Sequence, residues 1–236
     1  MEDKKVLVYF TTYNEEGNIG KIVKETLDLG FECMVVDDGS KDKTIEVAEG
    51  MGATVLGLCI NQGQSSAFLT GLKYGMYHNY DIVIHLDGDG QHRPSELPLF
   101  LRKIEETDAD IVVGSRILGS NHPNAPFFRK VFLPYFTWLI NKLTGYKMTD
   151  SMCGFRAYQR KALLKLQLNN MLEPEYLAPE LFMRASKVRL KISEVPVTLE
   201  DRDHGESHKG CIRYGYGILK AMLVVFLDKT YHMKRE

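Results

Sequence analysis

Residues 6–40, VLVYFTTYNEEGNIGKIVKETLDLGFECMVVDDGS, decide the fold. Val6 to Phe10 is a compact β-branched and aromatic run, the mark of a strand. From Asn14 to Leu29 the apolar residues Ile19, Ile22, Val23 and Leu27 recur at helical spacing, and Gly30 ends the helix they predict. Met34 to Val36 is a second strand, closing on Asp37, Asp38, Gly39 and Ser40; Ser40 or Asp42 can cap the helix that follows through Ala48. The pattern then repeats. Thr54–Leu58, Ile82–Leu86 and Ile111–Val113 read as strands, Ser65–Tyr77 and Pro94–Glu106 as helices. Strands alternating with helices of this length predict βαβ units, hence an α/β chain with a parallel sheet flanked by helices. In such sheets ligands bind beyond the carboxyl ends of the strands.

After about residue 120 the rhythm changes. Phe127 to Leu143 mixes aromatics (Phe127, Phe128, Phe132, Tyr135, Phe136, Trp138) with Arg129 and Lys130. That mixture suits a bilayer interface, and equally a core or a partner-facing helix. Met152 to Tyr158 reads as a strand entering a helix at Arg160, and Pro174–Val188 as a helix. Leu190–Val197 reads as an edge strand with Pro196 near its end, before a polar loop and a last helix. No repeat or linker interrupts the chain. One unit is expected over residues 1–210, with a C-terminal helix over 211–236 packed on it or lying at a membrane surface.

The 236 residues, 44 % hydrophobic and 26 % charged, exclude disorder and low-complexity scaffolds. Thirty basic against 31 acidic side chains exclude a general nucleic-acid coat. Cys33, Cys59, Cys153 and Cys211 are too far apart for a zinc ribbon or a redox pair, and read as buried free thiols in a reducing compartment. MEDKKVLVYF is too short an apolar run for a signal peptide, and the longest apolar candidate, Ala221–Leu227, cannot span a bilayer. A cytoplasmic protein is expected, peripheral on the cytoplasmic face if its substrate is a lipid.

The chemistry collects at the strand ends: Asp37-Asp38, Asp87-Gly88-Asp89 and Gly114-Ser115-Arg116. If the strand stays extended through Asp89, the two carboxylates of Asp87 and Asp89 face one side. Carboxylate oxygens suit a hard divalent cation, which in turn can bridge a diphosphate. His85, flanked by apolar residues, reads as a structural histidine, while Gln91 and His92 are further candidate ligands. Asp37 and Asp38 can accept from a base N–H or a ribose hydroxyl. No GxGxxG and no GxxxxGK[ST] is present, so both glycine-loop nucleotide fingerprints are missing.

Seven blocks stand in order: VVDDGSKDKT, NQGQSSAFLTGL, HLDGDGQHRP, IVVGSR, DSMCGFRAY, EVPV and RDHGES. Together they resemble glycosyltransferase family 2, and within it the polyprenyl-phosphate sugar transferases related to dolichol-phosphate mannosyltransferase. The resemblance covers residues 5 to about 210. It implies a GT-A fold, a Rossmann-like and mostly parallel sheet, and inverting transfer from a UDP- or GDP-sugar. Carried over, Asp37 and Asp38 hold base and ribose with Thr12 and Glu15, and Asn61, Gly63 and Gly88 line the donor pocket. Asp87, Asp89 and Gln91 bind Mg2+ or Mn2+ on the diphosphate, Asp89 being counted catalytic. Arg202 and Ser207 ride a loop over the phosphates, and Glu180 contacts a sugar hydroxyl or is a helix-surface charge.

The acceptor divides the readings. A polyprenyl phosphate is already anionic near neutral pH and needs positioning by cations, for which Arg116 and Arg129 match the family's positions. A sugar hydroxyl on a glycolipid or polysaccharide needs a general base, and Asp150 is the carboxylate in place. Leu133-Pro134 stands where relatives carry Ser-Arg, and His208 stands where they carry Lys. A third reading is a nucleotide-sugar-binding module without turnover. A lipid acceptor would be met at the membrane surface or with a membrane partner protein.

Overall fold

The computed structural model describes residues 4–119, 127–171, 177–200 and 211–227, with side chains outside 127–131 and 211–215. The strands are β1 (Val6–Thr12), β2 (Glu32–Asp37), β3 (Thr54–Gly57), β4 (Ile82–Asp87), β5 (Ile111–Ser115), β6 (Arg156–Gln159) and β7 (Ile192–Pro196). The helices are α1 (Ile19–Asp28), α2 (Thr44–Gly50), α3 (Gln64–Tyr77), α4 (Leu97–Thr107), α5 (Phe127–Thr144), α6 (Arg160–Leu166), α7 (Leu177–Lys187) and α8 (Cys211–Leu227). One seven-stranded sheet runs in the order β3-β2-β1-β4-β6-β5-β7.

The inner strands are apolar on both faces because helices cover both. Leu7–Phe10, Met34–Val36 and Ile82–Ile84 are buried at every position. α1 buries Ile19, Ile22, Val23 and Thr26, one stripe at helical spacing. It starts at Ile19, later than the periodicity suggests, because Asn14 takes a left-handed backbone (φ 55°). β7 lies at the sheet edge, as its proline requires. The sheet is mostly parallel, as expected; the exception is β6, which runs antiparallel to both β4 and β5. The reversal has a use: an antiparallel strand begins where its parallel neighbours end. Residues 150–155 are thereby brought to the carboxyl edge.

The chain goes outward from β1 to β3 and returns to β4 beside β1. The loops after β1 and β4 therefore diverge, and a crevice opens at this switch point. α8 packs against α7 and buries Ile218, Ala221, Met222 and Val225. Its other face exposes Tyr216, Leu219, Leu223 and Leu227. Among the described residues no helix is long and apolar enough to cross a membrane. Cys33 and Cys153 are buried free thiols, whereas Cys59 is exposed in the loop after β3, which corrects its expected burial.

Candidate active site

The crevice is floored by strand ends in register, with Thr12 beside Asp37 and Thr11 beside Asp87. Asp37 is fully buried. Its Oδ1 accepts from Thr12 Oγ1 (3.1 Å) and Ser40 Oγ (2.5 Å), and its Oδ2 accepts from the Ser40 N–H (2.8 Å). Asp38, 2 % exposed, accepts from the backbone N–H groups of Gln62 and Gly63, each at 2.8 Å. Burial raises the Asp38 pKa, and the two N–H donors offset part of that rise. Both carboxylates thus tie down the loops after β2 and β3. A grip of Asp37 and Asp38 on base or ribose, as expected from the sequence, would share these acceptors with the N–H groups of two tight loops.

The loops after β1 and β2 are laced together. The Asn14 N–H donates to Ser40 Oγ (2.8 Å), the Glu15 N–H to Thr44 Oγ1 (2.8 Å), and the Lys41 N–H to Asn14 Oδ1 (2.8 Å). Asp42, not Ser40, serves the next helix: its Oδ1 accepts from the Thr44 N–H at 3.0 Å. Glu15 itself accepts from Asn18 Nδ2 (2.7 Å). Asn61 is exposed at the rim, and Gly63 turns the chain into α3 with φ 95°.

β4 stops at Asp87, and Gly88-Asp89 form a turn, so the extended-strand argument for pairing Asp87 with Asp89 does not apply. Gly88 is wedged against β1: a Cβ there would press on Thr12 Cγ2 and lie 2.9 Å from the Thr11 carbonyl. Asp87 accepts from Gln64 Nε2, and a Cβ on Gly154 would fill the space taken by its carboxylate. Asp89 Oδ1 accepts from the Gln91 N–H (3.1 Å), while Gln91 Nε2 donates to the Glu200 carbonyl (3.0 Å). That bond commits the amide nitrogen of Gln91 and leaves Oε1 as its ligating atom.

No group of three His, Cys, Asp or Glu that could hold a metal alone occurs among the described residues. By donor type, two carboxylates and an amide oxygen fit a hard cation that completes its shell with substrate oxygens and water, and Gly154 keeps room for the carboxylate of Asp87. His85 is structural. Its Nδ1–H donates to the Gly154 carbonyl (2.7 Å), which leaves Nε2 to accept from Thr11 Oγ1 (3.0 Å), and burial lowers its pKa to about 4. His92 is also buried, its Nε2 3.9 Å from Cys153 Sγ. Burial lowers its pKa too.

Beyond β5, Arg116 and Asp150 meet. Arg116 Nε and Nη2 donate to Asp150 Oδ2 (2.6 Å) and Oδ1 (2.9 Å), and the Arg116 N–H adds a third bond at 3.2 Å. The Met152 N–H donates to the same carboxylate (3.2 Å). Burial alone would raise the Asp150 pKa, but Arg116 holds it below the usual carboxylate range. A carboxylate 1 % exposed, bonded four ways and acidified has the character of a counter-ion, which weighs against the general base expected for a hydroxyl acceptor.

Glu180 is fully buried on α7 and paired with Arg184 Nε (2.7 Å). This fits neither a helix-surface charge nor an open contact to a sugar. Arg129 falls in the first turn of α5 with its side chain outside the described residues, and Arg202 and Ser207 also lie outside them. The start of their loop is described: Glu200 Oε1 takes Arg93 Nε (2.6 Å), and its N–H donates to the Gln91 carbonyl (2.9 Å). The loop therefore departs from the Asp89–Gln91 turn. Gln64, Gly154, Arg156 and Glu194 were not singled out from the sequence. Gly154 and Arg156 stand inside DSMCGFRAY and Glu194 inside EVPV, which was the available signal.

A family model described as glycosyl transferase family 2 matches residues 8–167. The chain belongs to that family. It is a glycosyltransferase. The undecaprenyl-phosphate mannosyltransferase of Micrococcus luteus is 30% identical over 212 residues, covering 86% of this chain and 86% of the relative. The UDP-N-acetylglucosamine–dolichyl-phosphate N-acetylglucosaminyltransferase of Methanococcus voltae is 27% identical over 249 residues, covering 98% and 99%. Among solved structures, glucosyl-3-phosphoglycerate synthase from Mycobacterium tuberculosis, in complex with Mn2+, UDP and glucosyl-3-phosphoglycerate, superposes with a TM-score of 0.74. It is 18% identical, and the match covers 94% of this chain and 80% of that one. The fold is GT-A, as the resemblance implied.

Proposed function

We propose that this family 2 glycosyltransferase is inverting and metal-dependent, and moves a sugar from a UDP- or GDP-sugar to a polyprenyl phosphate. The observation that carries the choice of acceptor is the Arg116–Asp150 pair. A phosphate nucleophile needs no base, and the one carboxylate nominated as a base is closed by an arginine. Acceptors of this class in the two relatives' names support the same reading.

In this reading Asp87, Asp89 and Gln91 Oε1 would hold Mg2+ or Mn2+, which would neutralise charge on the departing nucleotide diphosphate. Asp37 and Asp38 keep the β1, β2 and α3 loops in place, with Thr12, Glu15, Asn61 and Gly63 as the walls of the donor pocket. Arg116, with Arg129, orients the acceptor phosphate towards the anomeric carbon. Arg202 and Ser207 contact the diphosphate in this reading. Glu180 acts through Arg184 on the wall and not on the sugar. The chain meets its acceptor at the cytoplasmic face of the membrane, where the exposed side of α8 and Tyr135 and Trp138 of α5 supply an apolar, aromatic surface. Residues 1–210 form the catalytic unit and the C-terminal helix serves this contact.

Calorimetric titration with UDP and with GDP, each with and without Mn2+, tests the donor half. Metal-dependent binding of one nucleotide is expected, lost in Asp89→Ala together with at least about a hundredfold of transfer to a prenyl phosphate. Equal binding with and without Mn2+ would overturn the metal assignment. A wild-type protein that binds the nucleotide yet shows no transfer to a prenyl phosphate would overturn the acceptor.

A further inference from the structure

Glu194 sits on β7 opposite Val113 of β5, half-buried and one strand away from Arg116. Among the described residues, every hydrogen bond that its carboxylate makes is with a donor. The Thr149 N–H reaches both oxygens (2.9 and 2.8 Å), the Asp150 N–H reaches Oε1 (2.9 Å), and Thr149 Oγ1 lies 3.1 Å from each oxygen. Thr149 has one hydroxyl proton, and Glu194 takes it. Ser115 Oγ, 2.6 Å from Thr149 Oγ1, is then the donor in that pair and accepts in turn from the Leu118 N–H (3.1 Å). The turn that presents Asp150 is thus tied to β7 through its backbone and to the end of β5 through its side chain. Asp150 passes this placement on, since it grips Nε and Nη2 of Arg116 and leaves Nη1 outside the pair.

We propose that Glu194 is a positioning residue for acceptor binding: through the Thr149–Asp150 turn it fixes the Arg116 guanidinium that receives the acceptor phosphate. This rests on the polyprenyl-phosphate reading given above. The chemistry explains the residue type. A site surrounded by donors calls for an acceptor-only side chain, and glutamine in its place would turn an NH2 group towards other N–H groups. A guanidinium displaced by an ångström loses its two-point alignment with a phosphate even though its charge is unchanged.

The test has two readouts. The first is the Arg116 Nε–H signal in a 1H–15N spectrum, assigned by its loss in Arg116→Lys, with exchange protection as the measure. The second is calorimetric titration with geranyl phosphate in the presence of the bound nucleotide and Mn2+. Glu194→Gln is expected to abolish the protection and to weaken geranyl phosphate by about tenfold to a hundredfold, with nucleotide affinity unchanged. The double variant Glu194→Gln/Arg116→Lys should bind it no more weakly than Arg116→Lys alone, because both act on one group. Thr149→Val, milder and isosteric, should move both readouts the same way by a smaller amount, and serves if Glu194→Gln does not fold. Retained protection and retained affinity in a folded variant would overturn the proposal, as would additive losses in the double variant. If the wild type shows the protected signal but ignores geranyl phosphate, the polyprenyl-phosphate reading falls and takes the proposal with it. The spectrum shows which of the two failed.

Discussion

The two halves of the sheet's carboxyl edge handle buried charge in opposite ways. On the β1–β2 side, Asp37 and Asp38 are held by hydroxyls and backbone N–H groups, none of which carries a charge. On the β5–β6–β7 side, two fully buried acids meet arginines, Asp150 with Arg116 and Glu180 with Arg184, while the half-buried Glu194 rests on neutral donors. Arg156, also buried, rests on the carbonyls of Cys153 and Ser151 and on the Phe182 ring. Neutral donors leave the acids to tie loops together without a counter-ion. Arginine pairs cancel the acid's charge and fix the guanidinium in place.

The largest expected effect breaks the arginine side. Arg116→Ala leaves a carboxylate 1 % exposed without its counter-ion, and should cost about 3–5 kcal/mol in urea unfolding. Adding Asp150→Asn should recover part of the loss, because the stranded charge is then gone. A loss below about 1 kcal/mol would mean that water reaches Asp150 readily and that the pair is not a buried one.

The seam between the halves is His85, and its effect should be next in size. It joins β1 through Thr11 to the 150–155 turn through Gly154. Burial lowers its pKa from 6.5 to about 4, so between those values the unfolded chain binds a proton that the folded one refuses. Its contribution is complete above pH 6.5 and is lost as the pH falls towards 4. Unfolding at pH 7 and pH 5 should differ by about 2 kcal/mol from this group, with His92 shifted in the same direction. His85→Gln keeps one donor and one acceptor and should flatten the dependence. An unchanged slope would place the titration elsewhere.

These features were unequally legible. The strands were plain because a buried parallel strand is a run of β-branched and apolar residues, as in Val6–Phe10 and Ile82–Leu86. The direction of β6 was not, since RAYQ reads alike either way and its reversal is set by tertiary pairing. The ordered motifs located the site and its acidic turn. They could not say whether Asp150 was a base or a counter-ion, because that depends on Arg116 lying 34 residues away in sequence. Asp37 and Asp38 look identical in VVDDGS. Only packing shows that both point into loops, one meeting Ser40 and Thr12 and the other the start of α3.

The smallest expected effect sharpens the contrast best. Asp38→Asn keeps one carbonyl oxygen for the Gln62 or Gly63 N–H but turns an NH2 towards the other, which should destabilise by about 1–3 kcal/mol. Against that stands the raised pKa of Asp38: burial already disfavours its charge, so neutralising it relieves part of the strain. The net loss should be about 1 kcal/mol, well under that of Arg116→Ala, and it should shrink further below the pKa of the wild-type carboxyl, where Asp38 is itself protonated. Urea unfolding of both variants at pH 7 makes the comparison. If Asp38→Asn costs as much as Arg116→Ala, the charge of Asp38 is itself structural and the neutral-donor description of that half is wrong. A small loss, with metal-dependent nucleotide binding retained, would assign Asp38 to shaping the donor pocket through its loops and leave the charge for the cation to Asp87 and Asp89.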